Sequence, residues 1–203
     1  MNLDDLRAQF SGLLNRRDIT TTLRDTFIQQ ALQRAQRLVR SPAMDRSLQV
    51  TINTETELSV PLDLIKLINL STDQGRLRSI SVDEALRIIR TEGPGVPRAF
   101  ARRDAKWLLA PAPKVNQKIR IDYMSEFNPL VAGTDTNNLS VIAPDVLLYG
   151  ALSYACDYFL DNRAAQFEAR FQQAVGELND MSQDDELSGG AAVSAVQRYE
   201  EDL

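Results

Sequence analysis

The stretch that most constrains this chain runs from Ile142 to Leu178, IAPDVLLYGALSYACDYFLDNRAAQFEARFQQAVGEL. It reads as two apolar-striped helices broken by one short polar turn. The first carries Leu148, Leu152, Ala155, Cys156 and Phe159, and Pro144 suits its first turn. The second carries Ala164, Phe167, Phe171, Ala174, Val175 and Leu178 at steps of three and four. Asp161-Asn162 interrupts them, and so short a linker predicts an antiparallel hairpin of helices over 145–160 and 163–180. Such a stripe is built for packing.

Two further helices are expected at the start. Residues 3–14 place Leu3, Leu6, Phe10, Leu13 and Leu14 on one face. Thr22, three residues before Asp25, opens a second helix over 22–39 with Leu23, Phe27, Ala31, Ala35 and Leu38 on one side. Ser41-Pro42 ends it, because the residue before proline resists the helical region.

The middle, 47–124, changes to a strand pattern. Leu48–Ile52 alternates, Glu57–Val60 stops at Pro61, Leu64–Leu70 is dense in Ile and Leu, and Arg76–Ser79 returns from a turn at Asp73-Gln74-Gly75. Ser81 caps a small helix to about Arg90. Gly93-Pro94-Gly95-Val96-Pro97 breaks the chain before a hairpin of Arg98–Arg103 and Lys106–Leu109 across Asp104-Ala105. Lys118–Tyr123 gives one more alternating strand. The expected class is therefore α+β: a helical bundle from both ends of the chain around a small, mainly antiparallel sheet insertion.

Composition excludes much chemistry. With no histidine, Ser-His-Asp and Cys-His catalysis and imidazole metal sites are ruled out. The single cysteine, Cys156, lies among Leu152, Ala155 and Phe159 and reads as a buried thiol. The 203 residues suffice for one domain, no apolar run approaches the ~20 residues of a membrane span, and MNLDDLRAQF lacks the order of a secretory leader, so a cytosolic chain is expected. No cofactor is expected. A net charge of -5 lacks the basic excess usual in nucleic-acid-binding domains.

Few residues suggest chemistry. Asp157 and Asp161, four apart, would share a helix face and could hold a hard cation, or simply form a solvated helix end. Gly93-Pro94-Gly95 lacks the Gly-Lys-Ser/Thr ending of a phosphate loop. Arg98, Arg102, Arg103 and Lys106 form the densest basic cluster, a candidate contact for DNA or an acidic partner, or a charged sheet edge that discourages aggregation. Alternation sends Arg98 and Arg102 to one face and Arg103 to the other. Trp107 reads as a core or interface anchor.

Five segments in order, FIQQALQRAQRLVR, ELSVPLDLIKLINL, GVPRAFARRDAKWLLAPAP, KIRIDYM and PDVLLYGALSYACDYFLDNRAAQFEARFQQAV, resemble the head-to-tail adaptor (connector) family of tailed phages, over roughly residues 1–180. The chain departs from many relatives after Tyr123, where Met124-Ser-Glu-Phe127 replaces an aromatic or proline-rich stretch. The resemblance implies a structural virion protein and no catalysis. It implies a homo-oligomeric ring, commonly of twelve copies, docked beneath the portal protein after assembly in the host cytoplasm. Such a ring extends the DNA channel, lets genomic DNA pass without sequence-specific binding, and meets tail or nozzle proteins; no membrane is involved. Residues 181–203 read as an acidic, flexible tail that could fold on the portal through Val193, Val196 and Tyr199 at helical spacing. The alternatives are another phage head- or tail-completion (stopper) protein, a DNA-binding module using the Arg98–Lys106 hairpin, and a metal-dependent hydrolase using Asp157 and Asp161.

Overall fold

The computed structural model describes residues 1–188, with side chains through Ser182. Val193, Val196 and Tyr199 lie outside the described residues. In chain order the elements are α1 (Leu3–Leu14), α2 (Thr21–Leu38), β1 (Asp45–Ile52), β2 (Glu57–Ser59), β3 (Leu64–Thr72), β4 (Gly75–Arg76), β5 (Arg78–Ser79) and α3 (Val82–Thr91). There follow β6 (Ala99–Arg103), β7 (Lys106–Ala110), β8 (Gln117–Ser125), α4 (Asn138–Ile142), α5 (Pro144–Tyr158) and α6 (Ala164–Ser188). The architecture is α+β. The chain divides into two compact units: a helical unit from Met1–Ser41 and the chain from Pro129 onward, and a sheet unit over Pro42–Asn128.

In the helical unit α5 is the central element, with α1, α2, α4 and α6 packed against it. Nine of its residues are buried, from Val146 to Cys156 and all round the helix, as a helix enclosed by others must be. The α5–α6 hairpin forms as its sequence predicts: Tyr149 stacks on Phe167 with ring centroids 6.3 Å apart, and Phe171 is fully buried. On α1, Leu3, Leu6, Phe10 and Leu14 are buried, whereas Leu13 in the last turn stays 43% exposed. Asn2 and Asp5 form a reciprocal capping box at its start. For α2 the cap is Thr20 and not Thr22: the Thr20 Oγ1 accepts from the Leu23 amide at 3.2 Å. Ahead of Pro144, Asn137 and Ser140 cap an additional short helix, α4, that the periodicity does not announce. The last helix continues eight residues beyond the expected end at Asp180.

The sheet unit holds two four-stranded sheets, ordered β1-β8-β3-β4 and β2-β7-β6-β5. All pairings are antiparallel except β5 with β6, which are joined through α3. The expected strand Arg76–Ser79 is in fact two, β4 and β5, which belong to different sheets; the buried Leu77 between them carries the chain across. One buried cluster takes Ile52, Leu70, Ile119, Ile121 and Tyr123 from the first sheet and Leu58, Phe100, Trp107 and Leu109 from the second. The two sheets therefore form a sandwich. Alternation along β8 explains its role: Ile119, Ile121 and Tyr123 point inward while Lys118 and Arg120 face water. The outer face of the second sheet is covered by α3, whose Ala85 and Ile88 pack on Ala101, Leu108 and Ala110.

Candidate functional site

The basic hairpin is the one constellation that sequence reading offers for contact with a partner within the described residues. It forms across Asp104-Ala105, with Arg102 opposite Trp107 and Arg103 opposite Lys106. Asp104 takes a left-handed backbone (φ 54) at the turn, a conformation that Asp tolerates better than most residues. Phe100, Trp107 and Leu109 face the first sheet, and Ala101, Leu108 and Ala110 face α3. Trp107 is 1% exposed and is a core anchor. The cross-strand pairs accordingly set Arg102 on the Trp107 face and Arg103 with Lys106 on the α3 face. Arg102 and Arg103 are split as alternation predicts, whereas Arg98 lies ahead of β6 and reaches Glu92 at the end of α3 instead of following the face of Arg102.

Three of the cluster's four cations are also paired with carboxylates, two of them with the same one. Arg98 donates through both terminal nitrogens to Glu92, at 2.7 and 2.5 Å. Glu57, on the neighbouring strand β2, accepts from Arg103 and, at 2.7 Å, from Lys106. The Lys106 and Arg98 hydrogen bonds hold the Glu57 and Glu92 carboxyls, respectively, below the usual carboxylate range. Of the four cations, Arg102 alone has no carboxylate partner among the described residues; its Nε donates to the Asp104 carbonyl at 3.4 Å. A cation already paired with a carboxylate has little left to neutralise on a phosphate, so the hairpin is poorly suited to gripping DNA.

The two aspartates at the end of α5 do not share a helix face. The helix stops at Tyr158, and Leu160 turns left-handed (φ 52). The Leu160 amide then donates to the Asp157 carbonyl at 3.1 Å and the Asp161 amide to the Cys156 carbonyl at 2.7 Å. This is a Schellman cap, and it carries Asp161 off the helix. Asp161 there accepts from Arg163, which holds its carboxyl down at about 2. Arg163 in turn donates to the Leu13 and Leu14 carbonyls at 3.0 Å each, capping the C-terminus of α1. Asp161 is thus committed to a structural clamp, and no group of three or more potential metal ligands gathers among the described residues. Burial pushes the Cys156 thiol up, away from the thiolate that a nucleophile needs.

Sequence reading missed Glu57 and Glu92, which decide what the basic cluster can do. Glu92 lies six residues before Arg98 across the Gly-Pro turn, a local signal that was available. Glu57 reaches the cluster only through the β2–β7 register, which sets it opposite Leu108.

Comparison with known proteins adds what the geometry alone does not carry. Among curated proteins nothing matches. A family model described as SU10 adaptor protein matches residues 1–195, nearly the whole chain. The chain therefore belongs to the SU10 adaptor protein family, and is a phage adaptor protein of the kind its five ordered segments resemble.

Proposed function

We propose that this chain is the head-to-tail adaptor of a tailed phage. Copies of it form a ring, of about twelve, beneath the portal protein in the virion; the ring extends the DNA channel and presents a surface to tail or nozzle proteins. The observation that carries this reading is the family match over residues 1–195. Two features of the chain support a packing role without catalysis. The helical unit is built around a largely buried α5, and the groups that could have done chemistry, Asp161 and Cys156, are held in a clamp and in the core. The paired hairpin cations support passage of genomic DNA without retention. Assembly would take place in the host cytoplasm.

Attachment to the portal is assigned to the tail, through Val193, Val196 and Tyr199. Helical spacing would bring these three to one face on contact, in the manner of an amphipathic segment entering a groove. Infection with a phage lacking this chain should yield DNA-filled heads without tails, and normally tailed particles would contradict the proposal. The V193S/V196S/Y199S variant should keep the melting temperature of the wild type and lose attachment to portal rings. Undiminished attachment would remove the tail from the account.

A further inference from the structure

The charge of this chain is unevenly placed. Residues 1–180 carry 22 Lys and Arg against 22 Asp and Glu, so the net charge of -5 resides wholly in residues 181–203, with six acids and Arg198. The sheet unit, by contrast, has 13 basic and 11 acidic side chains. The complement of the acidic tail is therefore on the sheet unit, and within it on cations that no carboxylate holds by a hydrogen bond.

Two of these flank a cleft. At one side of the sandwich both sheets end in two-residue strands, β4 and β5, and among the described residues no further strand covers the gap. A cleft of about 530 Å³ opens there, with Leu67, Leu70, Leu77 and Phe100 among its apolar lining. Arg76 and Arg78 also line it. Arg76 donates to the Ile68 carbonyl at 3.3 Å and has no carboxylate partner among the described residues. Arg78 has a side chain 76% exposed, and its carboxylate neighbour, Glu84, stands 3.7 Å away, beyond hydrogen-bonding distance. Both differ from Arg98, which is held at both terminal nitrogens.

We infer that this cleft receives the segment Glu200-Glu201-Asp202-Leu203 of a second copy of the chain. The carboxylates pair with Arg76 and Arg78, and Leu203 covers part of the apolar floor. Charge complementarity selects the occupant: this segment joins three consecutive acids to an apolar side chain and, unlike Asp184-Asp185-Glu186-Leu187, lies beyond the end of α6. Residues 189–199 join this segment to α6, a link of at most about 40 Å when extended and about 17 Å when helical. Val193, Val196 and Tyr199 stay free for the portal. The choice of a second copy rests on the ring reading; the tail–cleft contact is measured apart from it.

The test is fluorescence anisotropy of a labelled peptide of residues 189–203 titrated with the full-length chain. Saturable binding is expected, weakened at least about tenfold by the R76E/R78E substitutions and by raising salt. Because the double substitution could disturb β4 and β5, the E200Q/E201Q/D202N peptide is titrated against the unaltered chain, with the same loss expected. Absence of binding, or binding indifferent to both sets of substitutions, overturns the inference. Assembly on the portal, read separately as mass by light scattering, decides the ring reading, so either can fail without the other.

Discussion

Gly150 of α5 lies so close to Phe171 of α6 that a β-carbon at position 150 would stand 3.0 Å from the Phe171 Cδ2. The same β-carbon would stand 3.0 Å from the Ala31 Cβ of α2. Contacts this tight on two sides leave no room for a branched side chain. Gly150→Val is expected to destabilise the chain by about 2–4 kcal/mol, through overpacking that outweighs the gain in helix propensity. Urea unfolding measures this; a loss under about 1 kcal/mol would mean that α2 and α6 yield without strain.

Asp161 is held at about 2 by Arg163, against a reference of 3.8. A carboxyl whose value is lowered by folding contributes stability that is complete above its unfolded value and lost as pH falls through its folded one. The stability difference between wild type and Asp161→Asn should therefore be constant above about pH 5 and shrink between about pH 4 and 2. Melting temperatures of the two proteins across that range check the sign. A difference that grows on acidification would contradict it.

Leu160 is left-handed and 90% exposed. Its position after α5 is one that glycine fills without steric cost. Little apolar burial would be lost on truncation, so Leu160→Gly should stabilise the chain by about 0.5–1 kcal/mol. Denaturant midpoints at constant m-value give the answer, and destabilisation would show that the Leu160 side chain makes a packing contribution after all.

Because Glu57 pairs with both Arg103 and Lys106 and Glu92 pairs with Arg98, the wild-type chain is expected to bind duplex DNA weakly at most near physiological salt. Replacing both carboxylates, Glu57→Gln with Glu92→Gln, should strengthen binding, which then falls steeply with salt. Gel shifts over a salt series test both halves. Tight, salt-dependent binding by the wild type would restore the DNA-contact reading of the hairpin.

The elements set by local periodicity were legible in the sequence. The α5–α6 stripe, the Ser81 cap of α3, the Asp104-Ala105 hairpin and the alternation of β8 each depend on neighbours within a few residues. What was not legible depends on partners far along the chain. The split of Arg76–Ser79 between two sheets is decided by what β3 and β6 pair with, and β4 and β5 are too short to announce it. Asp157 and Asp161 fit a helical face in spacing, but the left-handed Leu160 ends the helix between them. At the basic hairpin the cations themselves were readable and their pairing with Glu57 was not, because Glu57 arrives 46 residues from Arg103 through strand pairing.

The central claim is that this phage adaptor protein assembles on the portal. The most direct test is to mix the purified chain with portal rings of the same phage and record the mass of the complex by size exclusion with light scattering. The account predicts one complex whose added mass is a fixed whole number of 22.7 kDa copies, near twelve, unchanged by excess chain. A folded chain that elutes apart from the portal at every ratio would contradict it.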